Sequence, residues 1–448
     1  MNLTAYKKAQ HELEALPSIS EYMEGERHPS FYLERVKKLL HTLGNPERGF
    51  HIIHVGGTAG KGSVTLYLHH MLRATGKQVG SFISPHVTTA VERTIINTRP
   101  ISTEDFVWAW KKVKNAIHEV SEEYGSTYTP SYFEAHFAMS LLLFHKHDIA
   151  WVTLEVGCGG EYDATNAIPN PEVSVITNVY LDHMQLLGRT RAAITKTKAG
   201  IIKSKSIIFT GETDKKIQKI ITQRAKKKHI PFFVVKQPTY HIQYSADTMR
   251  WKHKRLGTIS SHLLGAHQVH NTEIAIRVAL YLKLPISAIT AGIRDTRIPA
   301  RSEIMQHNPT VLIDGAHNPA KVRALTTLLP KLNAGTMHAI IGIGENKQIQ
   351  QMLKILVPYF TNICFTSASL EVPKPAKPQA LIGVAKKLFP NRTFFSRHNP
   401  QSALNLILKK AKGQDLVVVT GSLYLSGEIR SHWIPELHIL KTHNLFMA

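Results

Sequence analysis

The segment His54-Val55-Gly56-Gly57-Thr58-Ala59-Gly60-Lys61-Gly62-Ser63 stands between a β-branched run and an amphipathic stretch. A strand, a glycine turn and a helix in that order confine the chain largely to α/β folds that present a helix N-terminus to a ligand. Glycines let backbone N–H groups approach phosphate oxygens, Lys61 supplies a mobile cation and Ser63 can meet a metal ion. The strict Walker spacing would place glycine at Val55 and Ser or Thr directly after Lys61, where Gly62 stands. Alone, the segment reads equally as a phosphate grip or as an ordinary turn beside a lysine, so its neighbours decide.

Strand-like and helical runs alternate on both sides of it, the pattern of parallel α/β sheets. Gly49–Val55, Gln78–Ser84, Ile149–Val156, Val173–Val179 and Ser206–Thr210 read as strands. Lys61–Thr75, Thr103–Tyr124, Tyr132–His147 and Arg191–Ile202 read as helices. A less regular portion, Tyr240–Thr258, reads as a hairpin insertion, and a helix begins near His267. Helical periodicity breaks between Arg294 and Arg301 at a proline, after which a second series starts, with strands Val311–Asp314, His338–Ile343, Ile363–Thr366 and Leu416–Thr420. The chain has 448 residues, which suits two α/β domains with a substrate cleft between them.

Composition bounds the setting. Cys158 and Cys364 alone cannot make a disulfide framework, no leader pattern opens the chain, and no apolar stretch reaches membrane-spanning length, which points to the cytoplasm. Lys plus Arg exceed Asp plus Glu by 55 to 32. That balance invites a nucleic-acid reading, but the charge is dispersed, the run Arg224–Lys228 suits the end of a helix, and no nucleic-acid-binding signature accompanies it. General basicity also suits polyanionic small substrates.

Further candidates fall at strand ends, where open α/β sheets bind ligands. Glu155 ends an apolar strand, before a glycine turn and Asp163. It could hold the Mg²⁺ that accompanies ATP, or sit in an ordinary salt bridge. Ser84-Pro85-His86 ends another strand and also reads as a turn. Asp182-His183 follows the next one, and Lys198-Ala199-Gly200-Ile201 comes after it. Asp314-Gly315-Ala316-His317-Asn318-Pro319 can grip a ribose or an amino acid, or be a plain strand-to-helix cap.

With these motifs in order, the chain resembles the folylpolyglutamate synthase and dihydrofolate synthase family, relatives of the Mur ligases, over nearly its whole length. Leu43-Gly44-Asn45-Pro46, Glu92-Arg93, Tyr132-Phe133-Glu134, Leu187-Gly188-Arg189-Thr190, Gly265-Ala266-His267-Gln268 and Thr420–Tyr424 carry the likeness together with the segments above. The resemblance implies an N-terminal ATP-binding domain over 1–296, a P-loop ATPase-type parallel sheet flanked by helices. It also implies a smaller C-terminal Rossmann-like α/β ligase domain over 297–448.

The roles it implies are these. Gly57, Thr58, Gly60, Lys61, Gly62 and Ser63 would bind the ATP phosphates. Ser63 and Ser84 with Glu155 would hold a first Mg²⁺, and Glu155, His183 and Lys198 a second, with Lys198 carbamylated and a monovalent cation nearby. Asn271 and Asp314 would address the adenosine, Arg301 and His317 the phosphate or the incoming amino acid, Phe133 and Asp163 the pterin. Ala59, Glu161, Thr197, Ala300 and Asn346 depart from the family's usual residues.

The implied reaction is ATP-driven amide formation between L-glutamate and a folate-type carboxylate, dihydropteroate or tetrahydrofolate, through an acyl phosphate. Lys61, Glu155, His183, Lys198 and Arg301 would carry the catalysis. The expected partners are small molecules, with no nucleic acid and no membrane, and the expected state is a monomer. Murein ligases are the near alternative, but the roughly 55 residues before the loop are too few for their additional domain. Another amino-acid ligase with a non-folate acceptor, a nucleic-acid-stimulated ATPase and a non-catalytic relative are the remaining readings.

Overall fold

Strand β1, His51–Gly56, is buried from its second residue onward, with Ile53 and Val55 fully enclosed. A strand apolar on both faces belongs inside a parallel sheet covered by helices. In the computed structural model, which describes residues 2–18, 28–245, 247–332, 334–369 and 374–446, that is its place. The chain divides into two compact units. One comprises Met1–His86, Ala90–Thr239 and His270–Ile293, the other Val87–Thr89, Tyr240–Val269 and Arg294–Ala448.

In the first unit β1 is joined by β2 (Val79–Phe82), β3 (Thr94–Ile96), β4 (Arg99–Pro100), β5 (Trp151–Glu155), β6 (Val173–Ile176), β7 (Ile207–Thr210) and β8 (Phe232–Val234). Their order is β4-β3-β2-β5-β1-β6-β7-β8. The six from β2 to β8 in that order run parallel, whereas β3 and β4 turn back antiparallel at one edge. The chain leaves β1 toward β2 on one side, and from β5 it crosses to β6 and on to β7 on the other, so a topological switch point lies at the carboxyl ends of β1 and β6. Val55 pairs with Glu155 on one side and Val175 on the other, which sets the ends of β5, β1 and β6 level.

Helix ends follow local chemistry. Thr103–Tyr124 starts where the Ser102 side chain accepts the Asp105 N–H and stops at Gly125, φ +88°. Tyr132–Lys146 opens on a capping box between Ser131 and Glu134. Glu134 also forms a buried ion pair with Arg35 at 2.5 Å, which fixes the first turn that carries Phe133. The helix expected over Arg191–Ile202 is α-helical only to Lys198 and tightens to a 3₁₀ turn over Ala199–Ile201. The strand expected over Val173–Val179 ends at Ile176, which frees Thr177 and Asn178 for another task.

The second unit holds β12 (Glu303–His307), β13 (Thr310–Ile313), β14 (Met337–Ile341), β15 (Asn362–Phe365), β16 (Phe395–Ser396) and β17 (Leu416–Thr420). Their order is β12-β13-β17-β14-β15-β16, parallel except for β12 at the edge. Val311, Ile313, Ile340, Val417 and Val419 pack with Leu404, Ile407 and Leu425 as its core. Tyr240–Thr258, expected as a hairpin, contributes to a three-stranded antiparallel meander, β9 (Gln243–Tyr244), β10 (Met249–His253) and β11 (Gly257–Ser261). This meander groups with the second unit, whereas a single cut at 296/297 assigns it to the first.

Candidate active site

Gly60 caps the helix Lys61–Arg73 in the left-handed region, φ +81°, and a Cβ there would lie 2.3 Å from Asn271 Oδ1. Only glycine meets both demands. The first intrahelical bond at this end runs from the Val64 N–H to the Gly60 carbonyl at 3.0 Å. The N–H groups of Lys61, Gly62 and Ser63 therefore have no acceptor within the helix and form an anion-binding end.

The strand end freed at β6 holds the loop open. The Thr58 N–H donates to the Asn178 carbonyl and the Ala59 N–H to Asn178 Oδ1, both at 2.9 Å. Thr177 Oγ1 donates to the Ala59 carbonyl at 2.6 Å, and the Tyr180 N–H donates to Thr58 Oγ1 at 3.0 Å. Thr177 and Asn178 fall inside the strand expected over Val173–Val179, so the sequence assigns them no role of their own. Their signal is a Thr-Asn pair at the carboxyl end of an apolar run.

Glu155, at the end of β5, is only 6% exposed. Its Oε2 accepts the Ser84 N–H at 3.0 Å, and its Oε1 lies 3.9 Å from Lys61 Nζ. A Cβ on Gly62 would stand 3.2 Å from Oε2, so the missing side chain makes room for this carboxylate above the first helical turn. Among the described residues no three His, Cys, Asp or Glu side chains converge as a metal-ligating group. A single oriented carboxylate beside a phosphate grip still suits Mg²⁺, which takes one or two protein carboxylates and completes its shell with phosphate oxygens and water.

Lys198 ends its helix 4% exposed, and its Nζ donates to the Gly57 carbonyl at 2.9 Å. Burial, and next the charge of Lys61, push its amine down to about 8. His183 takes φ +48° at the start of the short helix Met184–Leu187. Its imidazole is half exposed, 4.0 Å from Asp182.

Phe133 lies against the turn after β5, where a Cβ on Gly157 would come within 2.5 Å of its ring. Asp163 accepts the N–H of Cys158 at 2.8 Å on one oxygen, and the N–H of Thr165 at 3.0 Å together with the Thr165 hydroxyl on the other. Burial raises its pKa while these donors work to lower it. The Thr165 hydroxyl proton points to Asp163, so His54 Nε2, 2.8 Å from Thr165 Oγ1, carries a proton and donates. Burial drives His54 down to about 3, which keeps it neutral. The chain His54–Thr165–Asp163 was hidden in the sequence because a histidine inside an apolar strand has no motif of its own.

In the second unit Asp314 directly follows β13 with both oxygens engaged. Oδ2 accepts the Ser302 N–H and hydroxyl at 2.9 and 3.0 Å, and Oδ1 accepts the Ala316 N–H at 2.8 Å. Arg301 sits between two residues with left-handed backbones, Ala300 at φ +53° and Ser302 at φ +48°. The Ala300 N–H donates to Glu303 Oε2 at 2.8 Å, and the fully buried Arg430 grips both oxygens of Glu303 at 2.8 and 3.0 Å. His317 Nδ1–H donates to the Gly315 carbonyl at 2.9 Å and Nε2 accepts from Lys321 Nζ at 3.1 Å. Burial, then the charge of Lys321, with smaller parts from Lys347 and Arg301, hold His317 well below the usual imidazole range. The cations gathered about a neutral histidine suit an anionic ligand.

Two family models match the chain, the Mur ligase middle domain over residues 55–279 and the Mur ligase glutamate ligase domain over residues 300–423. The dihydrofolate synthase/folylpolyglutamate synthase of Bacillus subtilis is 30% identical over 413 residues, covering 89% of this chain and 94% of that protein. The folylpolyglutamate synthase of Lacticaseibacillus casei is 32% identical over 414 residues, covering 88% and 93%. Among solved structures, Mycobacterium tuberculosis folylpolyglutamate synthase complexed with ADP and AMPPCP superimposes with a TM-score of 0.85 at 26% identity, covering 96% of this chain and 99% of that one. E. coli FolC in complex with DHPP and ADP gives 0.78 at 25% identity, covering 95% and 97%.

Proposed function

The chain belongs to the folylpolyglutamate synthase and dihydrofolate synthase family of the Mur ligases, and from there we propose that it uses ATP to join L-glutamate to a folate-type carboxylate. The observation that carries this reading is the meeting of the phosphate loop, Lys61 and the Glu155–Ser84 pair at the ends of β1, β5 and β2. That set suits a terminal phosphoryl group, and neither step of such a reaction needs a side-chain nucleophile.

The acceptor carboxylate attacks the γ-phosphorus, the bond to the β-phosphate oxygen breaks, and ADP leaves an acyl phosphate. The amine of glutamate then adds to the carbonyl carbon, expels phosphate and loses a proton. The N–H groups at Lys61, Gly62 and Ser63 and the ammonium of Lys61 hold the anionic phosphates that would otherwise repel the incoming carboxylate. Thr177 and Asn178 keep the loop in its receiving shape.

Glu155, with the hydroxyls of Ser63 and Ser84, is the set we assign to a first Mg²⁺. When bound, the ion neutralises charge on the β- and γ-phosphates. Glu155, His183 and Lys198 are the set for a second. Lysine suits a cation only as a carbamate, and an amine lowered to about 8 keeps an appreciable neutral fraction near neutral pH for reaction with CO₂. Phe133 and the turn organised by Asp163 form the acceptor side. Asn271 at the loop serves the nucleotide, as do Arg301, Asp314 and His317 of the second unit, with Arg301 and His317 also available to glutamate.

No helix is long and apolar enough to cross a membrane among the described residues, and the working form we assign is a cytoplasmic monomer acting on small molecules. The test is phosphate release by the purified protein given ATP, Mg²⁺ and L-glutamate with dihydropteroate or tetrahydrofolate. Folded protein that stays silent with both overturns the reading.

A further inference from the structure

Arg93 closes the 3₁₀ turn Ala90–Arg93 and is 8% exposed. Its Nε donates to His86 Nδ1 at 3.0 Å, and its guanidinium lies 5.0 Å from the centre of the Tyr132 ring. Among the described residues no carboxylate is paired with it, Glu92 included, and its two Nη atoms are not among the buried atoms left without a partner, so they keep access to solvent space. An enclosed guanidinium without an acid is costly unless a ligand completes it. One edge is tied to a neutral imidazole nitrogen and the flat face rests on an aromatic ring, while the fork stays open. That is the arrangement that takes a planar carboxylate in two parallel hydrogen bonds.

The surroundings locate the fork on the acceptor side. His86 lies two residues beyond Ser84, whose N–H is bound to Glu155. Tyr132 adjoins Phe133, which packs against the turn following Glu155. A guanidinium clamped on the attacking carboxylate would draw charge from its oxygens and blunt their attack on phosphorus, which favours a carboxylate that does not react. We infer that Arg93 binds the non-reacting carboxylate of a glutamyl group on the acceptor, with His86 as the positioning residue that aims its fork. The inference rests on the folate-ligase reading and refines it: the site would be built for an acceptor that already carries glutamate.

The test compares tetrahydrofolate with its α-carboxamide, which keeps the reacting γ-carboxylate, using the full chain with ATP, Mg²⁺ and L-glutamate. Wild type should prefer the free acid roughly 10- to 100-fold in kcat/KM, chiefly through KM. Arg93→Gln should use the two acceptors alike, and Arg93→Lys, with charge but no fork, should fall between. A wild type indifferent to the amide overturns the inference, and so does an Arg93→Gln enzyme that keeps the full preference or loses activity equally on both. The wild-type comparison needs no variant to fold. Turnover of dihydropteroate without tetrahydrofolate overturns the inference alone, and silence with every folate overturns the ligase reading with it.

Discussion

Lys198 Nζ donates to the carbonyl of Gly57 at 2.9 Å, so the lysine at the end of one helix is a strut of the phosphate loop. Burial lowers its amine from 10.5 to about 8 in the native state. Between those values the unfolded chain binds more protons than the native one, so the cost of burying this ammonium is full below pH 8 and fades as the pH rises toward 10.5. In protein kept free of CO₂ and metal, with the Lys198 amine unmodified, the stability of wild type relative to Lys198→Met should therefore rise by about 2 kcal/mol between pH 8 and 10. Urea unfolding at the two pH values measures it, and a flat difference would contradict the burial.

Glu155→Gln keeps the shape and removes the charge. It should still fold cooperatively, and turnover should fall by roughly 10²- to 10³-fold, the scale seen when a group facing developing charge is removed. Steady-state phosphate release against Mg²⁺ concentration is the measurement. Full activity in the variant would dismiss the metal assignment.

Gly60→Ala forces a side chain into a left-handed position and against Asn271. It should cost about 1–3 kcal/mol and weaken binding of an ATP analogue. Adding Asn271→Ala should return part of the stability by removing the collision while leaving the backbone strain, a comparison read by thermal unfolding.

Arg430→Met leaves Glu303 as a largely enclosed charge whose fully buried partner is gone. The expected loss is about 3–5 kcal/mol, and the double variant with Glu303→Met should recover much of it. Glu303 also accepts the Ala300 N–H, so the single variant should disturb the loop that carries Arg301 and raise KM for ATP. Equal stability of the single variant and wild type would remove this ion pair as the loop's support.

Elements with strong local punctuation could be read from sequence. The helix Thr103–Tyr124 and the strand Leu416–Thr420 have the bounds read from the residues, because Ser102 and Gly125 frame the first and a β-branched run makes the second. Edge strands were not legible: β12, Glu-Ile-Met-Gln-His, is half-exposed without clean alternation, and β4 has two residues. The site residues at strand ends stood out by chemistry and position. Those that support them, Thr177, Asn178, Thr165 and His54, act through contacts more than a hundred residues apart, as between His54 and Thr165, or from loops after a strand, and such pairings leave no local pattern.

The close approach of Glu155 to the bare Cα of Gly62 ties two positions far apart in sequence into one unit of inheritance. A lineage that acquired the Ser or Thr of the strict Walker pattern at 62 would have to let the carboxylate of Glu155 give way by a few tenths of an ångström, so the two positions should change together. Epistasis of this kind should make Gly62→Ser far more damaging in this chain than in a loop where no carboxylate overhangs the first turn of the helix.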